Sequence, residues 1–125
     1  MKLVLLLCLV AVVAASCGNP ADKRYTAQKT KACLTSAGVK LGGPLDFVAT
    51  TSTGGAFRAH LGQNFVTMVF GQTLVDADNI NEAYHRFRSK NVGIDDVLRQ
   101  QQNAVMLWHE HPSDADLSTI TGCLK

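Results

Sequence analysis

The sequence predicts an α+β domain with two layers, in which an antiparallel or mixed sheet of about four strands has helices packed on one face. Three observations predict this class. Segments 56–61 and 64–71 flank a tight turn and carry apolar residues at every second position, as a hairpin of half-buried strands does. Segment 80–87 instead repeats apolar residues at helical spacing. Finally, a chain of 125 residues, 46% of them hydrophobic, is long enough for one core and short for two.

The first predicted element is a helix that begins near Tyr25. The residues at helical spacing on its inward side are Thr30, Cys33, Leu34 and Ala37. Gly38 ends the helix, because glycine readily adopts the left-handed backbone found there. Residues 45–50, LDFVAT, predict a short strand, and the TSTGG cluster at 51–55 predicts a turn.

The hairpin comes next. Residues 62–64 are a turn of hairpin length between the strand AFRAHL and its partner NFVTMVFG. The positions predicted to face inward are Phe57, Ala59 and Leu61 on the first strand and Val66, Met68 and Phe70 on the second.

The segment after the hairpin predicts a helix. Thr73 is its N-cap, and Asp76 stands where a carboxylate meets unpaired helix amides. The apolar stripe of this helix consists of Ile80, Ala83, Tyr84 and Phe87.

The last third of the chain predicts three elements. One short helical turn falls around 94–98, and residues 104–108, AVMLW, form a strand that is apolar on both faces and therefore lies inside the sheet. Ser113 then caps a final helix. The apolar stripe of this last helix consists of Leu117, Ile120 and Leu124.

The first 16 residues have the plan of a secretory signal peptide. Lys2 supplies a positive charge, residues 3–13 are unbroken apolar sequence, and small residues follow at 14–16. The apolar run is about half of the ~20 residues that a membrane-spanning helix needs, so we expect a leader rather than a permanent span. A buried hydrophobic N-terminal helix or strand is the alternative.

Residues 14–17, AASC, resemble the lipobox of bacterial lipoproteins, in which an aliphatic residue and two small residues precede a cysteine. The resemblance implies that Cys17 carries a diacylglyceryl group, that the leader is cut before it, and that 17–24 is a polar tether to one domain at 25–125. It further implies an extracytoplasmic, lipid-anchored protein whose partner is the membrane of the cell envelope. Ala14 stands where leucine is usual, so an ordinary cut after Ala15 or Ser16 and a soluble secreted protein are the alternative.

The other cysteines predict one disulfide bond. Cys8 leaves with the leader and Cys17 is assigned to lipid, so Cys33 and Cys123 remain as an even pair in an oxidising compartment. A bond between them joins the first predicted helix to the last. Two separate buried thiols are the alternative, and neither cysteine lies in a CxxC motif that would indicate redox catalysis.

The charge pattern does not indicate nucleic-acid binding. The chain contains twelve Lys and Arg residues and ten Asp and Glu residues, and it has no run of basic residues. The domain also resembles small uncharacterised secreted bacterial domains, through the DFVA segment, the hairpin, the helix with AYHRF and the MLW strand. That resemblance implies no function.

The motif WHEHPSD at 108–114 is the best candidate for chemistry. If the strand continues to His111, then His109 and His111 project from one side about 6 to 7 Å apart, which suits two ligands of zinc or copper. The further ligands that the fold would have to supply are His60, His85 or Asp114. A polar strand end in contact with water is the alternative.

No arrangement in the sequence favours catalysis. Ser113 has His111 and Asp114 beside it, but neighbours in sequence rarely converge as a triad, and an N-cap explains its hydroxyl better. The sequence therefore predicts a non-enzymatic binding module of the cell envelope, with no cofactor. A metal-binding protein that uses His109 and His111 is the second hypothesis.

Overall fold

The computed structural model describes residues 24–87 and 93–125. The predicted signal peptide at 1–16, the lipidation site Cys17 and the tether up to residue 23 lie outside these residues. Within the described ranges, no helix combines the length and the apolar character needed to cross a membrane.

A five-stranded antiparallel sheet forms the centre of the domain. Its strands are β1 (Lys40–Leu41), β2 (Ala56–Leu61), β3 (Asn64–Phe70), β4 (Leu98–Gln101) and β5 (Ala104–Trp108), and they lie in the order β1-β2-β3-β5-β4. The helices are α1 (Ala27–Ser36), α2 (Phe47–Thr50), α3 (Leu74–Phe87), α4 (Ile94–Val97) and α5 (Asp114–Gly122). This architecture confirms the predicted α+β class, with one more strand than expected.

Helices cover both faces of the sheet. Phe57 pairs with Met68, and Thr67 pairs with Leu107, so the two pairs lie on opposite faces because side chains alternate along a strand. Lys31 of α1 lies over the Phe57 ring, whereas α2 and α3 share a groove with Leu107. The expectation of helices on one face therefore differs from the structure. The physical reason is that all five residues of β5 and the last five of β3 are buried, which requires cover on both sides.

The prediction of a strand over 45–50 is wrong, because this segment contains the single turn of helix α2. The Asp46 side chain accepts a hydrogen bond of 2.9 Å from the Ala49 amide and so caps the helix start. Val48 and Ala49 are both buried, which adjacent residues of a helix allow and a strand with one solvated face does not. The capping aspartate is the signal that the apolar alternation obscures.

Strand β4 is an element that the sequence does not predict. It pairs with β5 along its whole length, and the chain turns at Gln102, whose φ of 52° is left-handed. Only Leu98 of this strand is buried, and the glutamines that follow lie exposed at the sheet edge. A glutamine-rich segment has no apolar residues at every second position, so it is the pairing with β5 that makes residues 98–101 a strand.

The other predicted elements are confirmed, although two residues predicted to face inward are exposed. Helix α3 begins at the Thr73 cap, which accepts from the Asp76 amide at 3.0 Å, and α5 begins at the Ser113 cap, which accepts from the Asp116 amide at 3.1 Å. The predicted turn around 94–98 is α4. One exception is Phe87, which the helical spacing places on the inward stripe of α3 and which is instead 72% exposed. The other is Ala37, which the helical spacing also places inward and which is an exposed residue after the end of α1.

Asn103 fastens the start of the domain to the sheet. This buried side chain accepts from the Tyr25 amide at 2.6 Å and donates to the carbonyls of Tyr25 and Gly71, each at 2.8 Å. The Gly71 amide in turn donates to the Asn103 carbonyl. All polar atoms of the side-chain amide are thus used, which offsets the cost of burying them.

The predicted disulfide bond between Cys33 and Cys123 is confirmed. It joins α1 to the C-terminal end of α5, with the two Cα atoms 5.4 Å apart. The Thr26 amide also donates to the carbonyl of Lys125 at 2.7 Å, so the last residue pairs with the segment that precedes α1. The two terminal helices are therefore held together on one face of the sheet.

Reduction of the Cys33–Cys123 bond lowers the free energy of unfolding by about 3 to 5 kcal/mol, because the unfolded chain regains the freedom that the cross-link removes. The bond spans a sequence separation of 90 residues. Urea denaturation followed by fluorescence of the single tryptophan, Trp108, with and without reductant, measures this change.

The matched control is the Cys33→Ala/Cys123→Ala variant, whose unfolding curve does not respond to reductant. The bond is absent from the native protein if an alkylating reagent labels both thiols before any reductant is added.

Candidate functional site: an apolar groove between two helices

An apolar groove lies between α2 and α3, above strand β5. It encloses about 220 Å³. The residues that line it are Asp46, Phe47 and Val48 from the start of α2, Tyr84 and Phe87 from the end of α3, and Leu107 from β5. The lining is mostly apolar, since only Asp46 and Tyr84 carry polar atoms in their side chains.

The local structure explains why two phenylalanines border the groove. Phe47 is the first residue of α2, directly after the Asp46 cap, and it is 75% exposed. Phe87 is the last residue of α3 and lies three positions after Tyr84, which places both rings on the same side of that helix. Burial of either phenyl ring would be favourable, so the two exposed rings make this groove the candidate binding surface.

Asp46 and Tyr84 form the polar end of the groove. The Tyr84 hydroxyl donates to the Asp46 carboxylate and lies 3.1 and 3.0 Å from its two oxygens, while the Ala49 amide donates to one of those oxygens. Tyr84 is 2% exposed, so its hydroxyl is held inside while Asp46 reaches solvent. Asp46 therefore caps α2, binds α3 and borders the groove.

The predicted metal ligands His109 and His111 do not share one side of a strand. Strand β5 ends at Trp108, so the premise that it continues to His111 is wrong. The His109 ring stacks on Phe65 with centroids 4.5 Å apart, and His111 Nδ1 lies 2.7 Å from Asp96 Oδ1. The bend of the chain at His109 and Glu110, directly after β5, is the physical reason that the two rings have separate neighbours.

Of the other predicted ligands, Asp114 lies in the first turn of α5, and the two histidines each contact a different neighbour. His60 Nε2 lies 2.7 Å from the Gly42 carbonyl oxygen, and His85 Nε2 lies 3.0 Å from Asp95 Oδ1. Across 24–87 and 93–125, the structure brings together no group of three or more His, Cys, Asp or Glu side chains that could hold a metal ion. A metal site at His109 and His111 thus stays a prediction without support from the geometry.

Two histidine–aspartate pairs fix the short helix α4. Asp95 meets His85 of α3, and Asp96 meets His111 after β5. The pKa of His85 lies above its ordinary value, mainly because its ring bonds to the Asp95 side chain and also because it bonds to the Asn81 carbonyl. Sequence reasoning missed both pairs, since each joins elements ten or more residues apart.

The His85–Asp95 pair stabilises the protein at acidic pH more than at alkaline pH. A raised folded-state pKa means that the contribution is complete below about 6.5, the ordinary pKa of histidine, and is lost as pH rises through the folded-state value. The pair is exposed, so the contribution stays within about 1 kcal/mol. Urea denaturation of the wild type and His85→Gln at about pH 5.5 and about pH 8 measures it.

Asp95→Asn is the matched variant. It removes the other member of the same pair and should show the same pH dependence. A difference between wild type and His85→Gln that is constant or grows with pH would contradict this account.

Comparisons with known proteins do not assign a function. No family model matches the chain, and neither a curated protein nor a solved structure is significantly similar to it. The resemblances noted in the leader and in the domain therefore stay predictions.

Proposed function

We propose that the protein is an exported, non-enzymatic binding module, held at the bacterial cell envelope by acyl chains on Cys17, and that its ligand occupies the groove between α2 and α3. The observation that carries the proposal is the pair of exposed rings, Phe47 and Phe87, which come from different helices to one apolar groove. A ligand that covers both rings removes their surface from water, and burial of a phenylalanine side chain contributes about 1.5 to 3 kcal/mol.

The size of the groove limits what it receives. Pockets for drug-sized ligands enclose about 300 Å³ or more, and this groove encloses about 220 Å³. It therefore suits a small molecule, or one apolar group of a larger one.

The polar residues of the groove favour binding over catalysis. The Asp46 carboxylate is occupied in capping α2 and in bonding to the Tyr84 hydroxyl. Both bonds fix the position of the carboxylate, which suits a group that orients a ligand.

Export and anchoring rest on the leader and on the use of the cysteines. A disulfide bond persists in oxidising compartments outside the cytoplasm, and the bond between Cys33 and Cys123 supports such a location. The lipobox-like AASC then assigns Cys17 to lipid. Two acyl chains hold a protein firmly at a membrane, where one holds it only marginally.

Phe47→Ala weakens the binding of an apolar fluorophore by about tenfold, which corresponds to about 1.4 kcal/mol, because one wall of the groove is lost. The probe is N-phenyl-1-naphthylamine, titrated against the full-length protein and followed by its emission. Phe47 is exposed, so its replacement leaves the core intact.

Val75→Ala is the control, since this exposed apolar residue lies on α3 outside the groove. Equal binding by wild type and Phe47→Ala, or an equal loss in both variants, would remove the groove as the binding site.

Protein extracted from membranes begins at Cys17 and carries the added mass of acyl chains, because the leader is cut directly before the modified cysteine. Intact mass spectrometry before and after reduction reports the lipid and the disulfide bond together. Cys17→Ser moves the protein out of the membrane fraction. A mature chain that begins upstream of residue 17, or one without fatty mass, contradicts the anchor.

A further inference from the structure

We propose that the ligand of the groove is a small organic cation, of the quaternary ammonium class, held by aromatic rings and by the Asp46 carboxylate. This inference rests on the proposed function and names its ligand class. The groove is lined by the exposed rings of Phe47 and Phe87, by the nearly buried Tyr84 and by one carboxylate. Aromatic faces carry negative partial charge, and such cages recognise quaternary ammonium groups in proteins.

The charge of the groove is complementary to a cation. Asp46 receives its hydrogen bonds from the Tyr84 hydroxyl and the Ala49 amide, which are both neutral donors. No lysine, arginine or histidine is among the described residues that line the groove, and none of the described ion pairs involves Asp46. The carboxylate thus repels an anion. A neutral apolar ligand would remove water from this carboxylate and offer no charge or hydrogen bond in its place.

Two other phenylalanines of the domain already hold cations from their own chain. Lys31 Nζ lies 5.8 Å from the Phe57 ring centroid, and Arg58 lies 4.1 Å from that of Phe65. In the described part of the chain, no such partner lies over Phe47 or Phe87. Among the described residues, these two rings thus differ from Phe57 and Phe65 in carrying no cation of their own.

The small number of acceptors selects among cations. A metal ion such as Ca²⁺ takes six to eight oxygen ligands, and a primary ammonium has three N–H donors to satisfy. The groove offers one carboxylate that is already partly occupied. A quaternary ammonium has no N–H donor, and its methyl groups suit an apolar wall.

The test compares two ligands of the same shape on the full-length protein, purified in a maltoside detergent, by isothermal titration. Choline carries the quaternary nitrogen, and 3,3-dimethylbutan-1-ol has carbon in its place. We expect choline to bind about five- to tenfold more tightly than the alcohol, because each of the two exposed rings adds a contact with the cation.

Asp46→Asn is the decisive variant. Asparagine is as good an N-cap as aspartate and still accepts from Tyr84, so the fold is retained while the charge is removed. The variant should lose about tenfold in choline affinity and keep its affinity for the alcohol. Glu82→Gln, which removes an exposed carboxylate of α3 outside the groove, is the matched control and should bind choline as the wild type does.

The outcomes separate the ligand class from the proposed function. If both ligands bind equally well and Phe47→Ala loses both, the proposal of a cationic ligand is overturned and the groove remains a site for apolar ligands. The same holds if neither ligand binds while the naphthylamine probe does. If neither ligand nor the probe binds, both proposals fail. A loss of choline binding in Glu82→Gln equal to that in Asp46→Asn overturns the assignment to the groove.

Discussion

The burial of strands β3 and β5 on both faces is the constraint from which the rest of the fold follows. Every residue of β5 is buried, so the sheet needs a helical layer on each side. Helices α1 and α5 provide one layer. On the other side, α3 leaves uncovered sheet beside it, which α2 covers with only four residues. The groove above Leu107 lies where these two helices of unequal length meet.

The layer made by the terminal helices has few internal contacts of its own, and long-range bonds compensate for this. The Cys33–Cys123 bond and the pairing of Thr26 with Lys125 join the two helices, while Asn103 ties the segment before α1 to the sheet. These bonds connect positions that are far apart in sequence. The polar contacts of the opposite layer are, by contrast, the Asp46–Tyr84 bond and the exposed pairs around α4.

Helices and strands with a strong apolar period could be predicted from the sequence. Segments whose structure depends on a cap or on pairing with another strand could not. The hairpin, helix α3, strand β5 and the capped helix α5 each carry their own signal. Residues 98–101 carry no such signal, because pairing with β5 makes them a strand. In residues 45–50 the apolar alternation predicts a strand and hides the Asp46 cap that makes them helical. The groove escapes prediction for a similar reason. It joins residues almost forty positions apart, and the spacing of Phe87 is that of a core residue.

The position of Asp46 links the order of helix α2 to the occupancy of the groove. The same carboxylate starts α2, receives the Tyr84 hydroxyl and borders the groove. A guest proposed for the groove leaves the bonds of Asp46 in place, whereas fraying of the α2 turn withdraws Phe47 from the guest. Opening of residues 47–50 and release of the guest are thus one linked equilibrium, in which each event promotes the other to the same extent.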